Sequence, residues 1–129
     1  MAVTGSLTTV IEQGFAGYHR AYRTTWTSDA SAGTVGGTTL TVAAGRLVSL
    51  KVVPSGGATA PTALYDLLLV DADGYDVLGG KGADLSATAG ATLVWNPPLP
   101  FPGGTLEPQI ANAGNSKVGT LVLTIDQRP

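Results

Sequence analysis

Apolar residues recur along this chain at every second position, in short runs that Gly, Pro, Asn and Asp cut off. A period of two places alternate side chains on opposite faces of a strand, whereas a helix needs a period near 3.6. No window of helical length carries apolar residues at i, i+3, i+4 and i+7 without an interrupting Gly or Pro. That pattern restricts the chain to an all-β fold.

Individual runs make the case. From Arg46 to Val53, Val48, Leu50 and Val52 share one face and Ser49 and Lys51 the other, and Pro54 ends the run because it has no N–H for a ladder. In the final run, Val118 to Asp126, Leu121, Leu123 and Ile125 oppose Thr120, Val122 and Thr124. Leu64 to Val70 is apolar on both faces, which predicts a central or covered strand. Gly17 to Thr27 places Tyr18, Tyr22 and Trp26 on one parity, and Thr8 to Glu12 is a shorter run. Weaker runs are Thr38 to Val42, Tyr75 to Leu78, Thr92 to Trp95 and Thr105 to Ala111. Eight or nine short strands suit a two-sheet antiparallel β-sandwich. Asp71-Ala72-Asp73-Gly74 predicts a tight turn, and Ser55 to Thr62 a loop. Asn112 to Asn115 predicts a turn before the last strand. Asn96 to Gly104, with four prolines, predicts an extended crossing rather than a strand.

With 129 residues and no linker or repeat, residues 1–129 read as a single sandwich domain. Such a chain buries roughly two-thirds of its unfolded surface, enough for a core without staples. It has no cysteine, so neither disulfides nor thiolate metal sites are available. A net charge of −2 and seven scattered Lys and Arg give no field for nucleic acid. No stretch approaches the ~20 apolar residues of a membrane helix, and the N-terminus lacks the basic and apolar regions of a signal peptide. Charged residues are 12% of the chain, about half the usual share, so its surface is expected either to be solvated by Thr, Ser and Gly or to lie in part against a partner.

Residues suited to chemistry are few. The only histidine, His19, lies in a predicted strand between Tyr18 and Arg20, and no Gly-x-Ser-x-Gly elbow exists. Gly79-Gly80-Lys81-Gly82 lacks the spacing and the following helix of a phosphate loop, and reads as a flexible loop with a solvated lysine. Asp71, Asp73 and Asp76 alternate like the start of a calcium loop, but Val77-Leu78-Gly79-Gly80 supplies no further oxygen ligands, so turn capping is the expected role. Glu12, Asp66, Glu107 and Asp126 show no spacing that marks two of them as a glycosidase pair. The expectation is a protein that is not an enzyme, with no catalytic residue, metal or cofactor. The aromatic residues remain, as core or as partner interface. The residues nominated for an interface are Tyr18, Arg20, Tyr22, Trp26, Trp95 and Phe101, since aromatics and Arg dominate such contacts.

An ordered set of segments carries a resemblance. It comprises Tyr22-Arg-Thr-Thr-Trp-Thr-Ser-Asp-Ala30, then Ala60-Pro61-Thr62 leading to Tyr65-Asp66, then Asp71 to Leu78 and Gly80 to Asp84. Gly104-Thr105-Leu106 and Asn112 to Gly119 complete it. From about Tyr18 to the C-terminus the chain resembles small virion structural proteins of tailed bacteriophages, of the head-decoration or cement type. That resemblance implies a jelly-roll-like sandwich made in the host cytoplasm and placed on the outer capsid surface of the virion. There it would bind the major capsid protein as a homodimer or homotrimer. Residues 1–14, as an N-terminal arm, and the proline run 96–104 are the expected reach to neighbours. The chain departs from the pattern at Leu106-Glu107-Pro108-Gln109-Ile110, where the proline predicts an edge or a bulge. A tail or neck component, or a receptor- or glycan-binding sandwich using exposed Tyr and Trp, is the alternative.

Overall fold

In the computed structural model, which describes residues 3–15 and 18–128, eight strands form two antiparallel sheets. The strands are β1 (Ser6–Phe15), β2 (His19–Thr27), β3 (Leu40–Val42), β4 (Gly45–Pro54), β5 (Asp66–Asp71), β6 (Ala91–Phe101), β7 (Gly104–Ala111) and β8 (Val118–Asp126). A five-stranded sheet has the order β1-β2-β8-β4-β6 and a three-stranded sheet the order β3-β7-β5. The registers are nested: His19 faces Asp126, Leu40 faces Leu106, Gly45 faces Phe101 and Val52 faces Ala91. One long antiparallel hairpin has thus been rolled so that successive stretches fall alternately in the two sheets, which is the jelly-roll connectivity.

Period-two alternation decides which side chains lie between the sheets. Leu121, Leu123 and Ile125 of β8 are buried, as are Leu67 and Leu69 of β5 and Leu106 and Ile110 of β7. In β4 the alternation slips. A register shift between Leu47 and Ser49 turns Leu47 inward, fully buried, in place of the expected Val48, which is only half-buried. Trp26 faces Gly119 across β2 and β8, and its indole lies directly over the glycine, so a Cβ there would sit 2.5 Å from the ring. Tyr22 reaches across to the β3–β4 turn, where its hydroxyl accepts the Ala43 N–H at 2.9 Å.

Several expectations are corrected. The proline run is not a crossing: β6 continues through Pro97, Pro98 and Pro100 as an edge strand, the place in a sheet where proline is tolerated. It bulges away from β4 between Val94 and Leu99 and holds a cis Asn96–Pro97 bond. Tyr75 to Leu78 is not a strand, because Asp76 carboxylate bonds replace a regular ladder. The run at Leu64 begins its strand only at Asp66, since Leu64 adopts a φ of 65°. Leu106 to Ile110 is neither edge nor bulge; β7 is the middle strand of its sheet. Pro108 is tolerated because it pairs with Leu69, whose own N–H and C=O point away from β7. The missing Pro108 donor therefore faces the gap between β3, which ends its pairing at Leu106, and the Val35–Ile110 bridge.

The segment after the Asp71–Gly74 turn replaces an eighth jelly-roll strand. Leu67 N–H donates to the Gly82 carbonyl at 2.7 Å, Val77 N–H to the Leu69 carbonyl at 2.8 Å, and Leu85 N–H to the Tyr65 carbonyl at 2.8 Å. Irregular backbone thereby satisfies the edge of β5. The same segment closes the sandwich below β6, where the Trp95 indole N–H donates to the Val77 carbonyl at 2.7 Å.

Candidate functional site

The alternating aspartates act on backbone amides. Asp71 Oδ1 accepts from the Asp73 and Tyr75 N–H groups at 3.0 Å. Asp76 Oδ1 accepts from Leu69 and Leu78, and its Oδ2 from Gly80. The Asp71–Gly74 turn closes with a Gly74 N–H to Asp71 carbonyl bond at 3.0 Å, with Gly74 at a φ of 84°. These carboxylates point into their own loop, as Asx turns do. Among the described residues, no group of three or more His, Cys, Asp or Glu converges on a metal-sized space. In the Gly79–Gly82 loop Lys81 is exposed, and its Nζ also donates to the Val94 carbonyl of β6 at 2.8 Å.

The carboxylates considered for glycoside chemistry lie apart. Asp66 accepts from the Asp84 N–H at 2.9 Å and from Asn112 Nδ2 at 3.0 Å, while Glu107 accepts from Gln109 Nε2 at 2.7 Å. Glu107 pairs with Val70, four positions along β5 from Asp66. At about 3.3 Å per residue that offset is roughly 13 Å along the backbone, and each carboxylate is engaged by a different neighbour. The side chain of Glu12 lies outside the described residues. His19 starts β2 opposite Asp126. Asp126 itself is buried and bound by Arg128, through Nε at 2.9 Å, Nη2 at 2.5 Å and the backbone N–H at 3.0 Å. Those bonds hold its carboxyl at about 2 against the opposing effect of burial, with His19 a minor contributor.

The six nominated interface residues divide sharply. Tyr22, Trp26, Trp95 and Phe101 belong to the buried core. Burial pushes the neighbouring Tyr65 hydroxyl up to about 12, and its ring lies 5.9 Å from that of Trp26. Tyr18 is exposed and Arg20 half-buried at the same end of β2. Tyr22 and Trp26 obey the parity read from sequence; they face inward because Val42, Leu106 and Tyr65 complete the core around them.

Exposed apolar side chains mark the accessible surface. Val3, Val10, Ile11, Tyr18, Leu64, Leu68, Tyr75 and Val94 are all exposed. An open groove of about 650 Å³ runs over the outer face of the small sheet. Leu68, Gln109 and Ala111 line it, with Asp66 and Glu107 towards its ends. A smaller depression of about 240 Å³ lies between the Asp71–Tyr75 turn and Leu99–Thr105. Sequence parity alone missed Val10 and Ile11, although adjacency was a signal: neighbours in a strand point to opposite faces, so both are buried only in a strand covered twice. No family model, no curated protein and no solved structure matches this chain.

Proposed function

We propose that this protein decorates a bacteriophage head, binding the outer surface of the shell and stabilising contacts between major capsid subunits. The observation that carries the reading is the exposure of apolar side chains on a sandwich with few charges. Val10, Ile11, Leu64, Leu68 and Tyr75 stand in solvent while charged residues make up only 12% of the chain. Such a surface gains free energy by being covered with protein and offers little to phosphate backbones. The segments that resemble decoration proteins, from Tyr22 to Gly119, support the same reading.

A protein that binds the closed shell but not its separated subunits stabilises the shell by mass action. Repeated copies need only a modest contact each. The test is co-sedimentation with expanded, undecorated capsids, followed by heating of the particles. The expected result is saturable binding near the number of capsid subunits and a higher disruption temperature. Binding to a glycan array without binding to capsids would overturn the proposal in favour of a receptor-binding module.

A further inference from the structure

Four strand edges bound the two sheets, and three of them are closed. The β6 edge carries Pro97, Pro98 and Pro100, and Lys81 occupies the Val94 carbonyl. The 72–85 segment covers the edge of β5. On the far side, β3 is only three residues long, and beyond it Val35 and Gly36 are held by Ile110 and Thr4. Short strands, prolines and lysines are the usual means of keeping sheet edges from pairing. The edge of β1 has none of them along Ser6–Ile11: no proline, no charge, and a regular register with β2 up to Gln13.

Leu7 still packs against the core, but from Thr8 to Ile11 this strand is exposed on both faces. The five-stranded sheet is two strands wider than its partner, and β1 lies at one end of it. Ile11 faces Tyr22 on the inward side yet is 55% exposed; Val10, on the outward side, is 57% exposed.

We infer that the β1 edge pairs with the β1 edge of a second copy, antiparallel and across a two-fold axis at Thr9, joining two five-stranded sheets into one. The sequence of the edge selects this occupant. A two-fold axis normal to the sheet keeps inward faces together, so only residues of equal parity meet. Centred on Thr9, it sets Leu7 against Ile11 on the inward face and Thr8 against Val10 on the outward face, with no charge opposed to a like charge. Centred on Val10, Leu7 and Ile11 no longer meet; centred on Ile11, Val10 is placed against Glu12. The uncharged stretch Ser6–Ile11 thus meets its own copy with Leu7 on Ile11, with Val10 on Thr8, and with Glu12 beside Ser6 rather than another charge. The inference does not depend on the capsid reading.

The chain has no native cysteine, so Thr9→Cys supplies a single thiol at the axis. Sedimentation equilibrium at high micromolar concentration is expected to give twice the 13.0 kDa of the chain. Thr9→Cys is expected to oxidise to a covalent dimer, while Val94→Cys, on the opposite edge strand, is not. The double substitution Val10→Lys with Ile11→Lys changes only exposed positions; it is expected to keep the circular dichroism of the parent and shift the mass to monomer. A wild-type monomer under these conditions would overturn the inference. So would a dimer that survives the double lysine variant and leaves Thr9→Cys uncrosslinked, because another surface would then hold it.

Discussion

Gly119 and Trp26 share one volume, and neither can change without the other. A Cβ at position 119 meets three indole atoms at 2.5–2.7 Å, and the ring is fully buried. Gly119→Ala is therefore predicted to destabilise by about 1–3 kcal/mol, the usual range for overpacking, with urea unfolding as the measurement. Ser28 is buried at the mouth of the β7–β8 turn, where its hydroxyl donates to the Gly114 carbonyl at 2.6 Å and accepts the Lys117 N–H at 2.7 Å. Ser28→Ala strands both groups, and a loss of about 1–3 kcal/mol by the same measurement is predicted. Asp126 supplies a pH dependence. Its carboxyl is depressed to about 2 in the folded chain by Arg128, from an ordinary value of 3.8. Its contribution is thus complete above pH 4 and disappears as the pH falls towards 2. Arg128→Ala is predicted to lower stability near neutrality and to flatten the fall between pH 4 and 2, read from unfolding curves across that range. The parity of Trp26 was legible in the sequence, whereas its seat over Gly119 depends on a strand 93 positions away in the pairing register.

At the level of elements, legibility followed local alternation and failed where distant backbone took over. β8 reads directly from its pattern. Val48 misled because a bulge reverses parity, and a bulge has no signature in the alternation itself. Pro108 misled for the opposite reason: its place in a middle strand depends on β3 ending early, which only the pairing partner reveals. The 72–85 segment lacks a strand pattern yet does a strand's work through Asp76. Asp76→Ala removes the acceptor of three amides and is predicted to cost at least about 1.5–3 kcal/mol. Amide exchange should accelerate at Leu69, Leu78 and Gly80 before it does in β8. Since the aspartate oxygens already serve these amides, the melting temperature is predicted to be the same in calcium and in chelator.

For the molecule as a whole, strand number and two-sheet architecture followed from patterning, but the candidate surface did not. Of the aromatic residues that suggested an interface, Tyr22, Trp26, Trp95 and Phe101 fill the interior and only Tyr18 is exposed, while the aliphatic residues Val10 and Ile11 on β1 and Leu68 on β5 stand in solvent. Burial depends on how many layers lie over a strand, and that is decided by sheet widths rather than by any one segment. The nested registers carry a kinetic consequence. β1 and β2 form a local hairpin, with Phe15 facing His19, and among the nested pairs β4 with β6 closes the shortest loop; β3 with β7, and then β2 with β8, follow by zipping outwards. Long-range pairing of this kind places folding in the millisecond-to-second range. Pulse-labelled hydrogen exchange during refolding is predicted to protect the β4–β6 pair before the β2–β8 pair, which closes the longest of the nested loops. The pair that closes last, β2 with β8, is the one that carries β1 into the sheet. The open outer edge takes its place only in finished molecules, so self-association would report on these and pass over half-folded ones.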